Sequence, residues 1–574
     1  MDSQIHNDEG QSVGPNGNLQ AAIPVLIVGG GPIGLSTSLL LSHHGIRSLL
    51  VEQHPGTSTY PKARLINSRT MEIFRQLGIE QTMREVEIPH ARNVIYASSL
   101  AGTELMRRPM EKVIPEANRN WSPTWGCTST QEIIESVLLA QARRLAPAHI
   151  RFGTQLASFE QGVDHVLATL VHRPSGRVQR VRAQYLIGTD GSHSTVREAL
   201  GIRMLGQSVL SYSVSILFRA DLSRWVGDRE INMCIVTNPD ASGMLINDGG
   251  NRWRFTAFYN PANGESSDDF TSQRCVQVVR AAVGAPDLNI ELYKIAPWND
   301  AAQVAERFYD RRVFLAGDAA QQMSPAGGFG MNTGIQEAHN LAWKLAAVLK
   351  GWAVPALLDS YESERAPIAR VMTEQIARNM GSIRATIGAG ADSAPYQPET
   401  RPRLGRPESH REHGLIFGVT YDSAAIVPDG TPTVQLTNPV TDYVPNARPG
   451  NRAPHVWLER DSARISTLDL FDREFVLLTG AEGRGWCEAA QEVSRRLGVP
   501  LQSFRIGRGV ELNDPGKTWA ETYGIEEDGA VLVRPDGYVA WRCTRSKPES
   551  VTEIDKAWNT VLGRRSRQPI APMS

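Results

Sequence analysis

The chain has 574 residues, with 60 basic and 61 acidic side chains and a formal net charge of -1. That balance gives no whole-molecule field for nucleic acid or an anionic membrane, and no apolar run reaches the length of a membrane span. At roughly 150 residues per domain the length points to three or four domains, and five singly scattered cysteines (Cys127, Cys234, Cys275, Cys487, Cys543) support neither a disulfide framework nor a zinc site, so no metal is expected.

Residues 1–20 are polar, rich in Asn, Gln, Gly and Asp, and read as a disordered tail. They lack the apolar core of a secretory signal, so a cytoplasmic enzyme is the simplest expectation. From Ile23 to Gln53 the order is strand, glycine turn, helix, strand. Gly29, Gly31 and Gly34 stand in the G-x-G-x-x-G spacing around Pro32 and Ile33. That spacing gives a tight turn, a bare backbone beside a pyrophosphate and close packing of helix on strand. Amides at the helix start can face phosphate oxygens, where the positive end of the helix favours an anion. Glu52 ends the second strand, Arg47 to Val51, where its carboxylate can accept from a ribose diol. A dinucleotide is therefore expected here, NADP being disfavoured because Glu52 would meet a 2′-phosphate.

After Glu52, a helix with Met71, Ile73, Phe74 and Leu77 as its buried stripe is expected to end at Gly78. Arg64 and Arg69 precede it, and Arg64 stands either on the surface or near the cofactor. Thr128 to Arg144 reads as a helix with a Ser or Thr cap and Gln131 in its first turn. Ile150 to Arg182 alternates around the turn PSGR as hairpin strands. In YLIGTDGSHSTVR a strand ends in Asp190-Gly191, which alone would be an ordinary turn. Leu200 to Pro297 is β-rich, with Trp253, Phe255 and Ala257 placed on one face of a hairpin. Such an insert makes a second lobe, and small molecules bind in clefts between lobes. The strand Val313 to Ala316 then delivers Asp318, followed by a glycine-rich loop (Gly327, Gly328, Gly330) and a helix starting near Asn332 and closed by Gly351. A Pro/Gly-rich stretch from Gly388 to Arg406 reads as linker or surface loop. From about Val444 the remainder reads as an α/β unit: strand Glu474 to Thr479, helix Trp486 to Leu497, and a hairpin turning at Pro535-Asp536-Gly537 between Ala530–Arg534 and Tyr538–Arg542.

Taken together, GGGPIG with Glu52, GTDGSHSTVR, and GDAAQQMSPAGGFGMNTGIQEAHNLAWKLA resemble the FAD-dependent aromatic hydroxylases, single-component flavoprotein monooxygenases of the para-hydroxybenzoate and phenol hydroxylase type. ARPGNRAPHVWL, STLDLFDREFVLLTG and GAVLVRPDGYVAWR narrow the resemblance to members with a thioredoxin-like third domain, closest in kind to dichlorophenol and aromatic polyketide hydroxylases. The resemblance implies an α/β fold: a Rossmann-like FAD-binding domain with an inserted β-sheet substrate lobe and a C-terminal thioredoxin-like domain. Expected boundaries are 21–199 for the first part of the FAD-binding domain with some substrate-lobe strands, and 200–300 for the lobe. The second part, with long helices, is expected over 301–400, a linker over 401–443 and the C-terminal domain over 444–574.

By the same resemblance, Gly29, Gly31, Pro32, Ile33, Gly34 and Glu52 hold the ADP half of FAD, and Arg64 and Gln131 touch the cofactor. Asp190 and Gly191 belong to the middle motif, associated with FAD and the pyridine nucleotide. Asp318 meets the ribityl chain, and Pro325, Gly328, Gly330, Met331 and Asn332 follow the flavin edge. One departure is Gln321, where many members carry histidine. The implied reaction uses NADPH or NADH as a transient co-substrate to reduce FAD, then O2 to form a flavin C4a-hydroperoxide that hydroxylates a phenolic or polycyclic aromatic, polyketide-like substrate. A second G-x-G-x-x-G for a resident nicotinamide nucleotide is absent from the chain. The amides of Gly330, Met331 and Asn332 are expected to face the charge on reduced flavin. Trp253, Phe255 and Phe258 are candidate walls of an apolar cleft that keeps water out, or an ordinary packed sheet face. No catalytic base is assigned; His339 reads as structural, and His43 and His44 as cations at a helix C-terminus. A homodimer is left open, with no nucleic-acid or membrane partner. The alternatives are a flavoprotein reductase or halogenase of the same fold, the latter disfavoured because W-x-W-x-I-P is missing, or a catalytically silent flavin-binding protein that shields a ligand.

Overall fold

In the computed structural model, residues 20–564 are described apart from 60, 90–92, 110–120, 146–148, 389–411 and 548. The tail expected over 1–20 and nearly all of the stretch expected over 388–406 lie outside the described residues. The first sheet takes the strand order Tyr309–Asp310, Val313–Leu315, Arg177–Gly188, Gln20–Val28, Ser48–Val51, His149–Arg151. Its central pairings are parallel. The strands Thr154–Gln161 and Val166–His172 extend it as an antiparallel hairpin. Parallel strands need both faces covered, and Val25 to Ile27 are accordingly inaccessible to solvent. The covering helices Pro32–His43 and Phe329–Leu349 lie side by side, close enough that a Cβ on Gly334 would stand 2.6 Å from a side-chain carbon of Ile33.

The second sheet is an eight-stranded lobe in the order Gln321–Gln322, Glu291–Ala305, Met204–Arg219, Arg252–Tyr259, Gly243–Asn247, Ile231–Val236, Asn93–Ala97, Glu104–Pro109. Strands from before residue 200 and after 300 thus complete it. One face packs on helix Ser272–Val283, where Trp253 and Phe255 join Cys275, Val279 and Val283 in a closed apolar cluster. The 30-residue helix Asp359–Gly388, not singled out from the sequence, runs beside the strand Glu291–Ala305.

The C-terminal unit has a four-stranded sheet, Leu501–Ile506, Phe475–Gly480, Ala530–Val533, Val539–Cys543, with the first pair parallel and the others antiparallel. With helices Arg484–Leu497 and Ser550–Val561 this is the βαβ–ββα order of a thioredoxin-like unit.

Local predictions meet the structure closely where periodicity is strong. Helix Ser68–Gln76 is capped by the Asn67 side chain, which accepts from the amide of Thr70, and it buries Met71, Ile73 and Phe74 before Gly78 turns at φ +70°. Helix Gln131–Arg144 starts after Thr130, but no side-chain cap bond forms there. His44 is not the expected helix-end cation, because burial pushes its pKa down to about 3. His43 instead pairs with Asp472 of the C-terminal unit.

Candidate active site

A cavity of about 1400 Å³ opens between the two sheets and the long helices. Ordinary small-molecule pockets occupy roughly 300–1,000 Å³, so there is room for a dinucleotide and a second molecule. One end is built by the glycine turn. Gly29 has φ +108°, and a Cβ there would sit 2.4 Å from the carbonyl oxygen of Thr189; a Cβ on Gly34 would sit 1.9 Å from the Gly29 oxygen. These two glycines let strand, turn and helix touch. Gly31 differs, since a Cβ on it would meet nothing within 4 Å; its bare side faces the cavity. The helix beginning at Pro32 has neither a side-chain cap nor an acidic residue in its first turn, so its first amides are left for an anion. Glu52 lines the same end; its Oε2 accepts from the amide of Gly30 at 2.7 Å and its Oε1 from that of His54 at 2.8 Å. Gln131 is braced by Ala63, whose amide donates to its Oε1 at 3.1 Å, and donates through Nε2 to Glu135 at 2.7 Å.

Asp190 and Asp318 stand at the ends of neighbouring parallel strands. Ser194 and the amide of Val196 donate to Asp190, so that carboxylate chiefly caps the helix Thr195–Ala199. Asp318 is ringed by protein yet open to the cavity, and it has no hydrogen-bond partner among the described residues. Burial pushes its pKa above the usual carboxylate range, opposed by Lys62. An unpartnered carboxyl in that position suits a polyol chain.

The third element is the loop after Asp318. Gly328 is the N-cap of the long helix at φ +71°, again without side-chain cap or first-turn acid. The helix starts at Phe329, three residues before the expected Asn332, so the free amides are those of Phe329, Gly330 and Met331. Asn332 is fully buried and does not line the cavity. Its Oδ1 accepts from the amide of Asn67 at 2.9 Å and its Nδ2 donates to the carbonyls of Leu65 and Gly328 at 2.8 and 2.6 Å, so it anchors the loop from behind. Gln321, the departure from the family pattern, also supports the loop: its Nε2 donates to the Gly330 carbonyl at 3.4 Å. Pro325, Gly328, Gly330 and Met331 do line the cavity.

The sheet wall corrects the aromatic expectation. Trp253, Phe255 and Phe258 do not line the cavity. Successive strand residues point to opposite faces, and the odd positions Trp253 and Phe255 face helix Ser272–Val283, while Arg254 and Thr256 face inward. Phe258 shares their parity but packs in a separate cluster with Tyr96 and Met244. The inward row is Ala296, Ser215, Thr256 and Met244, paired directly across four strands. Trp298, which the sequence reading missed, is the aromatic of this wall and donates through Nε1 to Ser215 at 2.9 Å. Met380, Ile383, Glu412 and Ile416 face it from the helical side. Met372, Ile376, Met380 and Ile383 fall at helical spacing, the signal that could have revealed them. Arg64 lines the cavity with its guanidinium 3.1 Å from Asp248, which Arg254 also approaches at 3.3 Å. Burial lowers the pKa of Arg64 to about 10 despite that partner.

The sequence matches the family described as "FAD binding domain" over residues 22–376 and that described as "Aromatic-ring hydroxylase, C-terminal" over residues 446–565. It is 39% identical to the tetracenomycin A2 monooxygenase-dioxygenase of Streptomyces glaucescens, covering 95% of this chain and 98% of that protein. Among solved structures, the flavin-dependent monooxygenase PieE in complex with FAD and substrate superposes with a TM-score of 0.86 at 33% identity, over 95% of this chain and 100% of that one. A ternary complex of aklavinone-11 hydroxylase with FAD and aklavinone gives 0.83 at 37% identity, over 94% and 99%. With both halves matched and the whole fold shared, the chain belongs to the FAD-dependent aromatic hydroxylases.

Proposed function

We propose that this hydroxylase uses NAD(P)H and O2 to place a hydroxyl on a phenolic ring of a polycyclic, polyketide-like aromatic. The observation carrying the reading is one cavity with two uncapped helix starts and an open carboxyl, Asp318, between them. The residues present fit FAD: the bare backbone at Gly31 and the amides of Ile33 and Gly34 would take the pyrophosphate, Glu52 the ribose, Asp318 the ribityl chain, and the amides of Phe329 to Met331 the pyrimidine edge. Bound FAD would supply the redox chemistry, taking a hydride equivalent from NAD(P)H and activating O2.

The protein's own part is binding, orientation and exclusion of water. The amides at the start of the long helix present fixed partial positive charge without reorganisation. The flat row Ala296–Ser215–Thr256–Met244, with Trp298 beside it, and the side chains of Met380, Ile383 and Ile416 form two walls suited to a planar fused-ring molecule. They also keep water from the reacting centre. Arg64, Gln131, Asp190 and Gly191 border the cofactor end, Arg64 through its stem and backbone while Asp248 holds its charge.

The test is purified protein made with ample riboflavin, assayed with NADH and NADPH against simple phenols and hydroxyanthraquinones. The reading expects yellow protein, substrate-stimulated NAD(P)H oxidation with oxygen uptake, and a product heavier by one oxygen atom. Nucleotide oxidation that no aromatic stimulates, in flavin-loaded protein, would favour the ligand-shielding alternative.

A further inference from the structure

Among the described residues, five carboxyl groups line the cavity: Glu52, Glu135, Asp190, Asp318 and Glu412. The first four border its glycine-turn half. Glu52 is held by the amides of Gly30 and His54, Glu135 by Gln131 and the amide of Ser58, and Asp190 by Ser194 and the amide of Val196; Asp318 stands where the ribityl chain would pass. Glu412 alone lies at the other end, among Met323, Ala326, Met380, Ile383 and Ile416. Its residue is 6% exposed. Asn379 on helix Asp359–Gly388 donates through Nδ2 to Glu412 Oε1 at 2.7 Å, which fixes the carboxyl plane. The other oxygen, Oε2, has no hydrogen-bond partner among the described residues.

Resting on the functional reading above, we infer that Glu412 is the proton acceptor for the substrate's phenolic hydroxyl. The step balances simply. The phenol O–H bond breaks, its proton passes to Glu412 Oε2, and the electron pair stays on the phenolate oxygen, raising electron density at the ring carbons ortho and para to it. Those are the carbons an electrophilic oxygen attacks. After transfer, the proton displaced from the hydroxylated carbon restores aromaticity and leaves to water, and Glu412 returns its own proton to the product or to solvent.

The surroundings suit a group that trades protons near neutrality. Burial pushes the Glu412 carboxyl up to about 7, against the Asn379 hydrogen bond, which lowers it. Among the described residues, the charged side chains on the elements packed around it are engaged elsewhere. Arg378, beside Asn379, pairs with Glu374 on the outer face of its helix, and Arg384 donates to the carbonyl of Leu210. His413 meets Trp121 edge-on and stacks on Phe417, and Asp300 lies behind Ser324, whose hydroxyl donates to it at 2.8 Å. A base matched to working pH is the efficient kind, and such groups contribute typically about 10²- to 10⁴-fold.

The test compares wild type with Glu412→Gln, which keeps the shape and the Asn379 contact through the retained carbonyl oxygen, as holoenzymes. The probe is 1,8-dihydroxyanthraquinone, whose absorbance moves to the red on ionisation. Wild type should bind it partly as the phenolate, increasingly as pH rises through about 7, with product formation following the same limb. Glu412→Gln should keep its flavin and bind the neutral form, lose the limb near pH 7, make product at least tenfold more slowly and release more peroxide per nucleotide oxidised. Identical spectra, rates and pH profiles in both proteins overturn this inference alone. Wild type that holds no flavin would overturn the functional reading and this inference with it.

Discussion

The two ends of the long helix Phe329–Leu349 have opposite chemistry. Its first turn meets the cavity with free amides, no cap and a neighbouring unpartnered carboxyl. Its second half carries Asn340, Trp343 and Lys344 into a sealed ionic cluster with the C-terminal unit. There Glu364 accepts from Arg534 at 2.6 and 3.0 Å and from Lys344 at 2.7 Å, all three side chains fully buried, while Asp536 accepts from Arg534 and Trp343. A parallel cluster joins Glu72 to Arg69 and Arg452. Polar groups left open to the cavity at one end and charges paired in the interior at the other mark where a ligand belongs and where two parts of the chain are locked together.

The hardest way to break that contrast is at the joint. Removing one partner of a buried ion pair leaves the other charge unpaired, typically costing about 3–5 kcal/mol. Arg534→Met should therefore lower the midpoint of urea unfolding steeply, and adding Glu364→Gln should recover part of the loss. An Arg534→Met protein as stable as wild type would show the cluster to be idle.

The glycine turn sharpens the contrast with a matched pair. Gly34→Ala drives a methyl to 1.9 Å from the Gly29 oxygen, and overpacking of this kind costs about 1–3 kcal/mol, visible in apoprotein. Gly31→Ala points its methyl into open cavity, so unfolding of apoprotein should match wild type while flavin retention falls. Equal stability loss in both variants would mean that Gly31 is a packing residue and not part of a ligand cradle.

The two regions should also answer pH in opposite directions. Around the cavity, burial raises Asp300 to about 6 and Glu337 to about 7. Raised carboxyls bind more protons folded than unfolded, so their contribution is full below the unfolded value, 3.8 for Asp300 and 4.5 for Glu337, and is lost as pH rises through the folded one. At the joint, burial alone would raise Glu364, but Arg534 and Lys344 outweigh it and hold it far below the usual range; Arg452 and Arg69 likewise outweigh burial and lower Glu72. Their contribution is present above about pH 4.5 and fades as pH falls further. Glu337→Gln should flatten the decline of apoprotein stability between pH 5 and 7, a slope on the order of 1.4 kcal/mol per pH unit for one such proton. An unchanged slope would remove Glu337 as its source.

The smallest effect is expected on the sheet. Thr256→Val, on the inward row, should change the KM for the aromatic severalfold with unfolding nearly unchanged, whereas Trp253→Phe should leave steady-state kinetics as they are. A kinetic effect confined to Trp253→Phe would restore the aromatic wall that the strand register denies.

What could be read in advance follows the range of the interactions. The glycine turn, Glu52, the strand delivering Asp318 and the helix closed at Gly351 depend on spacings of a few residues, so local pattern reveals them. The parity of Trp253 and Phe255 was visible as alternation, but which face met the cavity depended on where helix Ser272–Val283 packed. The helix start at Phe329 was hidden because two glycines, Gly327 and Gly328, precede it and neither is a side-chain cap. Glu412 and the joint were beyond reach for a different reason: Glu364 meets Arg534 across 170 residues and Glu72 meets Arg452 across 380, and nothing local in any of them announces a partner.

Flavin content of purified Asp318→Ala, measured beside wild type and alongside unfolding of both apoproteins, tests most directly whether one FAD spans from Glu52 to the start of the long helix. Loss of a hydrogen-bond partner to an ionised group is worth about 1.5–3 kcal/mol. The variant should therefore hold FAD roughly ten- to a hundredfold more weakly and purify pale, with apoprotein stability unchanged. A variant as yellow as wild type, with one FAD per chain, would contradict the account.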